Sequence, residues 1–183
     1  MGQQQLEDAL PAARAGLAWG LKVVYDELAP RVTGYLRARG ASEPEDLTSE
    51  VFLTVLPRLS TVTGGAAGVA TFVFSVAHAR LVDDLRRCAR RAPHAEYDAG
   101  SDPRRAASAE TAALETLATD GVKALLAGLP DSQRDVLLLR LVADLTVEQV
   151  AQALGRSPGA VKQLQRRGLL ALRARLGPGG VPL

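Results

Sequence analysis

The side chains with the clearest chemistry in this chain are donors suited to phosphates and base edges. After Glu148 the sequence holds Arg156, Lys162, Arg166, Arg167, Arg173 and Arg175, and no acidic residue. A guanidinium is a planar fork that meets a phosphate or a guanine with two parallel bonds, and Gln163 could meet an adenine in the same way. Of the 22 lysines and arginines, 19 are arginine, although a GC-rich genome produces the same bias without any functional cause. Metal and covalent chemistry find no comparable set. His78, Cys88 and His94 lack a fourth ligand, and His78 and Cys88 fall on different helical faces, which excludes a structural metal site. The two histidines suggest no Ser–His–Asp or Cys–His constellation. The expectation is a binding protein with no catalytic residue, no metal and no cofactor.

Donors of this kind need a rigid mount, and the stretch Leu129 to Leu176 supplies one. It reads as three helices, the last two forming a helix-turn-helix. Thr146 is an N-cap, and Gln149 three residues on completes a capping box. Val147, Val150, Ala151 and Leu154 then make one apolar stripe at helical spacing. Gly155 stands where a left-handed C-terminal position is wanted, and Ser157 caps a second helix opened by Pro158. That helix should bury Val161, Leu164, Leu172 and Leu176 and leave Gly159, Lys162, Gln163, Arg166 and Arg173 on other faces. A capped helix, a tight turn and a basic second helix describe a major-groove reader. The same pattern also serves as an ordinary packing unit with a solvated basic face.

Composition sets the frame. A chain of 183 residues suits one or two small domains, and 47% hydrophobic with only 4% aromatic residues implies cores of Leu, Val and Ala. Ala, Leu, Arg and Glu dominate and no long alternating Val/Ile/Thr run occurs, so the predicted class is all-α. The net charge of +2 is uninformative, but its distribution is not. Residues 1–78 carry six basic and eight acidic groups, and residues 79–183 the remaining sixteen and twelve, giving −2 and +4. A single cysteine rules out an internal disulfide and fits a reducing cytoplasm. No apolar run is expected to cross a membrane, and MGQQQLEDAL lacks the regions of a signal peptide.

Taken in order, residues 1–16 read as a tail and Leu17 to Arg39 as a helix, with Pro30 a kink or break and Trp19 in the core. Pro44 opens a helix that buries Leu47, Val51, Val55 and Leu59, helped by Phe52 and Leu56. Asp46 and Glu50 lie one turn apart on another face. Two acids near a helix start commonly just complement its dipole, an explanation that fits Asp46 better than Glu50. Ser60 to Ala70 reads as a glycine-rich loop without the Gly-Lys-Ser/Thr ending of a phosphate-binding loop. The next helix runs to Arg91, with Arg80, Asp84, Arg87 and Arg91 along one side as ion pairs. Pro93, Gly100 and Pro103 mark a linker.

Three motifs in this order are similar to those of the extracytoplasmic-function sigma factors, the compact two-domain class of bacterial RNA polymerase sigma subunits. The first is Glu45-Asp46-Leu47-Thr48-Ser49-Glu50-Val51-Phe52-Leu53, and the second is Phe72 to Arg87. The third combines Leu129, Pro130, Arg134, Val136, Leu139 and Arg140 with Leu145, Glu148, Ala151, Leu154, Gly155, Ser157, Gly159, Val161 and Lys162. The resemblance spans about residues 17–176. It implies a tail at 1–16, sigma region 2 at 17–91, a flexible linker at 92–107, region 4 at 108–176 and a tail at 177–183. It further implies that Asp46, Leu47, Glu50 and Phe52 meet core RNA polymerase. Phe72, His78, Arg80, Arg86, Arg87 and Arg90 would engage the −10 promoter DNA. Arg156, Ser157, Gly159, Lys162, Gln163, Arg166 and Arg167 would engage the −35 element. An anti-sigma factor is the other implied partner. A stand-alone helix-turn-helix regulator and a helical adaptor that binds no DNA are the competing classes. Ser75, His78 and Ala79 depart from the Arg, Arg and Asn often found in the family. The loop at 60–70 lacks an aromatic residue on which a flipped base could stack, so it is expected to be mobile until DNA or a partner orders it.

Overall fold

The computed structural model describes residues 2–91 and 125–176; the linker expected at 92–107, His94 and the tail at 177–183 lie outside them. The described residues form helices α1 (Gly2–Arg14), α2 (Ala18–Arg39), α3 (Pro44–Val55) and α4 (Gly65–Arg91), with a 3-10 turn at Leu56–Thr61. Three more follow: α5 (Asp131–Leu141), α6 (Val147–Ala153) and α7 (Pro158–Leu176). No strand occurs among the described residues, and the class is all-α in two helical groups.

In the first group α4 is the central helix. Val69, Val73, Phe74, Ala77 and Leu81 recur every three or four residues and are fully or almost fully enclosed by α1, α2 and α3. Its 18-residue window of mean hydropathy 1.4 is long and apolar enough to cross a membrane, contrary to expectation. That apolarity is the cost of serving four neighbours at once, α1, α2, α3 and α6, because a helix packed on several sides needs a wide apolar face.

Residues 2–14, expected to belong to a tail, are a helix. Leu6, Ala9, Leu10 and Ala13 share one face and are buried against α2, so α1 is part of the core. The helix α2 runs unbroken through Pro30. Trp19 is 58% exposed, so it is a surface residue and not a core one. The expected loop at 60–70 is also shorter than its glycines suggested, since α4 begins at Gly65 and only residues 62–64 connect it to the 3-10 turn. Helix α1 holds this connection from both ends. Arg14 Nη2 donates to the Val62 carbonyl at 2.9 Å, and the Ala66 amide donates to Glu7 Oε2 at 2.5 Å. A carboxylate on the unsatisfied amides of a helix start stabilises it doubly, through the bonds and through the dipole.

Asp84 corrects the ion-pair reading of α4. It is buried, and it accepts from the Ser42 amide at 3.0 Å and from Ser42 Oγ at 2.9 Å, pinning the α2–α3 turn. Its link to Arg87 is looser, at 3.7 Å.

In the second group α5 is enclosed on both sides. Asp135, Val136, Leu137, Leu138 and Leu139 are all buried, and five consecutive positions cannot share one helical face. Helix α7 covers one side. It comes close because Gly168 has no side chain: a Cβ there would lie 2.8 Å from Leu137 Cδ1. Helix α2 of the first group covers the other.

Asp84→Ala should strip the Ser42 amide of its acceptor and lower stability by about 1–3 kcal/mol in urea unfolding. The neighbouring Asp83, largely exposed and 3.9 Å from Arg86, should tolerate alanine within about 0.5 kcal/mol. Equal losses at the two sites would mean Asp84 holds no turn.

Candidate nucleic-acid interface

The helix-turn-helix is built from local caps. Thr146 Oγ1 accepts from the Gln149 amide at 3.2 Å, and the Thr146 amide donates to Gln149 Oε1 at 2.7 Å, closing the capping box. Gly155 takes φ +60°, and the Arg156 amide bonds back to the Ala151 carbonyl at 2.8 Å. Ser157 Oγ then accepts from the Ala160 amide at 3.2 Å, starting α7 at Pro158. Val161 is fully buried and Leu164 and Leu172 are half-buried. Arg156, Ser157, Gly159, Lys162, Gln163, Arg166 and Arg167 are all exposed. The first turns of α7 therefore present one amide and several cations to solvent on a rigid, buried footing.

Two arginines of the third motif have another task. Arg134 donates to the carbonyls of Leu126, Ala127 and Leu129 at 2.9–3.0 Å, and Arg140 donates to that of Leu145. Both close the ends of α5 and leave no fork for a nucleic acid.

On the first group, Arg80, Arg86, Arg87 and Arg90 are exposed and line a shallow cleft of about 360 Å³ with Glu50 and Asp83. Arg80 is partly engaged, 4.0 Å from Glu50 and 3.2 Å from Thr54 Oγ1. Phe72 is half-buried against the core. On α3, Leu47 and Phe52 are 5% and 2% exposed, so they hold the helix in place and offer a partner no surface. Phe52 meets Tyr25 edge to face at 4.8 Å. The exposed face is Asp46, Glu50 and Leu53, the last 76% exposed. Leu53 went unread in the sequence, although its i, i+4, i+7 spacing with the two acids was the signal that could have found it.

His78 is placed differently from the arginines. Its Nδ1 lies 2.9 Å from Tyr35 Oη, and that hydroxyl also donates to Asp135 Oδ1 at 3.4 Å. Asp135 in turn receives Arg39 Nε at 2.5 Å. Arg39 and Asp135 are both buried. Sequence reasoning missed Arg39, Tyr35 and Asp135 as a set, because they stand on α2 and α5 with no local pattern joining them.

Comparison with known proteins is consistent across sequence and fold. The family model for sigma-70, region 4 matches residues 125–174, which hold α5, α6 and all but the last two residues of α7. The ECF RNA polymerase sigma factor ShbA of Streptomyces griseus is 38% identical over 134 residues, covering 71% of this chain and 70% of that protein. The ECF RNA polymerase sigma factor SigD of Mycobacterium tuberculosis is 32% identical over 182 residues, covering 94% of this chain and 84% of that one. Among solved structures, CnrH in complex with the cytosolic domain of CnrY shares the fold, with a TM-score of 0.67 over 93% of this chain and 96% of CnrH at 18% identity.

The His78 network carries a pH signature. Burial lowers the affinity of His78 for its proton below the ordinary value of 6.5, opposed by Asp135 and reinforced by Arg39 and Arg156. The unfolded chain therefore binds this proton more readily than the folded one. Stability from this site is full above about pH 6.5 and falls as the medium is acidified. Urea midpoints measured from about pH 7.5 down to about pH 5 should decline for the native chain, and less steeply for His78→Gln. Parallel declines would place the titration elsewhere.

Proposed function

The chain belongs to the ECF RNA polymerase sigma factors, which act in transcription initiation, and on that premise we propose that it reads a −35 element with α7 and opens the −10 element with α4. The observation that carries this reading is the exposed Lys162, Gln163 and Arg166 at the start of a helix whose Val161 is fully buried. Such a helix can enter a major groove without moving its own core. Gln163 fits adenine bidentately, Arg166 fits guanine or a phosphate, and Arg156, Arg167, Ser157 and the Gly159 backbone set the register on phosphates. Arg80, Arg86, Arg87 and Arg90 are the cations for the opened −10 strand, with Phe72 beside them. The polymerase face is Asp46, Glu50 and Leu53 on α3: two anions and an uncovered leucine on one stripe. The first working unit in this reading is the expected 17–91 extended by α1, which shares its core, the second is 108–176, and an anti-sigma factor is the regulatory partner. No catalytic or cofactor role is assigned. The site of action is the cytoplasm, where core polymerase and promoter DNA meet.

Run-off transcription with core polymerase tests the whole reading. The native chain should direct initiation from a matched promoter, and a chain that binds duplex promoter DNA yet gives no transcript with core would be a stand-alone regulator. Asp46→Lys with Glu50→Lys should weaken co-purification with core while circular dichroism stays unchanged. Retention at native strength would remove α3 from that contact.

Promoter choice is tested separately. Gln163→Ala should cost about 1–3 kcal/mol of discrimination at one base pair of the −35 element, whereas loss of a phosphate donor such as Arg167 should weaken all sequences alike. A Gln163→Ala, Arg166→Ala protein with native −35 selectivity would move the reading to another element.

A further inference from the structure

A cleft of about 840 Å³ lies between the two helical groups and is lined by four charged side chains. Glu27 and Arg31 come from α2, Arg140 from α5 and Asp144 from the turn after it. The base of the cleft is apolar. Leu6 of α1, Ala66 and Ala70 of α4, and Leu145 line it, and each is less than a tenth exposed. The alanines leave the space, while Gln149 Nε2 closes one side by donating to the Ala67 carbonyl at 3.1 Å. A volume of this size falls in the range of about 300–1,000 Å³ usual for small-molecule sites, which pair an apolar lining with a few convergent polar groups.

The four charges are not spent on one another. Among the described residues, none of them is in ion-pair contact with an opposite charge. Arg31 donates instead to the Ala143 carbonyl, and Arg140 Nη1 to the Leu145 carbonyl. A guanidinium has more N–H donors than one carbonyl takes, so both keep donors in hand. Arg140 Nε is enclosed and has no hydrogen-bond partner. The bond that denies Arg140 to a nucleic acid thus holds its charge at the cleft, beside that of Arg31. Glu27 and Asp144 accept no hydrogen bond from a described residue. Burial weakens the hold of Arg31 on its proton, and Asp144 and then Glu27 partly restore it, so both carboxylates bear on the same space. Asp144 itself takes φ +47°, a left-handed conformation that few side chains adopt. The two arginine bonds grip the carbonyls on either side of it.

Glu27, Arg31 and Arg140 are half-buried, and charges withdrawn from water without a partner are costly. Here the carbonyl bonds hold both guanidiniums back from the carboxylates. A simple anion would be drawn to the arginines and repelled by the carboxylates, and a simple cation would meet the reverse. One class of molecule satisfies both signs, with an ammonium at one end and a carboxylate at the other. We infer that the cleft is a binding site for a zwitterion, a free amino acid or a short peptide with free ends. Its carboxylate meets Arg31 and Arg140, its ammonium meets Glu27 and Asp144, and an aliphatic middle lies on the apolar base. Charge-assisted bonds of this kind are the strong ones. Each helical group supplies one cation and one anion, so neither holds the site alone. The site is independent of the promoter reading and stands or falls without it.

The probes are leucine and the tripeptide alanyl-leucyl-alanine, titrated into the full chain by calorimetry. At least one should bind saturably, with one site per chain, and raise the thermal midpoint. The tighter of the two tells a free amino acid from a peptide. Acetylating the amine or amidating the carboxylate should each weaken binding roughly 10-fold or more, the loss expected for a bond to a charged group. Glu27→Gln with Asp144→Asn should weaken the uncapped probe by as much and leave the acetylated one unchanged. Helical content should survive, because neither carboxylate bonds a described residue and asparagine tolerates the left-handed turn. If the double variant loses helical content, Glu27→Gln alone is read in its place. Absence of saturable binding by either probe below about 10 mM overturns the site, since weaker affinity marks no built pocket. Capped probes that bind as tightly as free ones, or a folded variant with native affinity, overturn it equally.

Discussion

A guanidinium taken out of water must find an anion, and Arg39 finds its own 96 residues further along the chain, in Asp135. Much of the arrangement follows from that demand. Arg39 ends α2, so pairing it lays α5 along α2, and the short links that follow then set α6 on α4. The Tyr35 hydroxyl, itself buried, joins the pair and carries it to His78. Burial and the adjacent Asp135 carboxylate hold the Tyr35 phenol well above its ordinary ionisation range, so it remains a hydrogen-bond donor. An ion pair in this setting adds little net stability over apolar packing, but it penalises every arrangement that leaves one member unpaired. Its contribution is therefore to register, fixing which surfaces of the two groups face each other.

The groups differ in how they are made rigid. The helix-turn-helix relies on near neighbours: the capping box spans three residues, the Gly155 turn bonds within five, and Ser157 caps three residues on. The first group relies on distant ones. Glu7 caps α4 from 59 residues away, and Asp84 holds the α2–α3 turn from 42. Local caps hold the shape of α7 without help from the first group, because every bond in them lies within five residues. The connection at 62–64 is held by α1, so the end of α4 keeps its form only while α1 stays packed.

On α3 one turn separates residues with opposite tasks. Leu47, Val51, Phe52 and Val55 point inward, while Asp46, Glu50 and Leu53 point outward. A family motif read as a string mixes the two, since seven consecutive residues pass around the helix nearly twice. Arg134 and Arg140 make the same point: they match the motif and look like DNA ligands by type, yet they bond backbone carbonyls at the ends of α5.

By itself the sequence determined the helical class, the helix-turn-helix with its caps, and the exposed donors of α7, because each depends on residues within about one or two helical turns. Family membership was legible for the same reason, being carried by short strings that keep their spacing. Only the tertiary structure decided that residues 2–14 are core helix, that Trp19 is outside, that Leu53 is left uncovered, and that Asp84 serves a turn. It alone brought Arg39, Tyr35, His78 and Asp135 together. None of these follows from local periodicity, because each depends on which distant surface arrives to cover a face or to satisfy a charge, and that is settled by packing the whole chain at once.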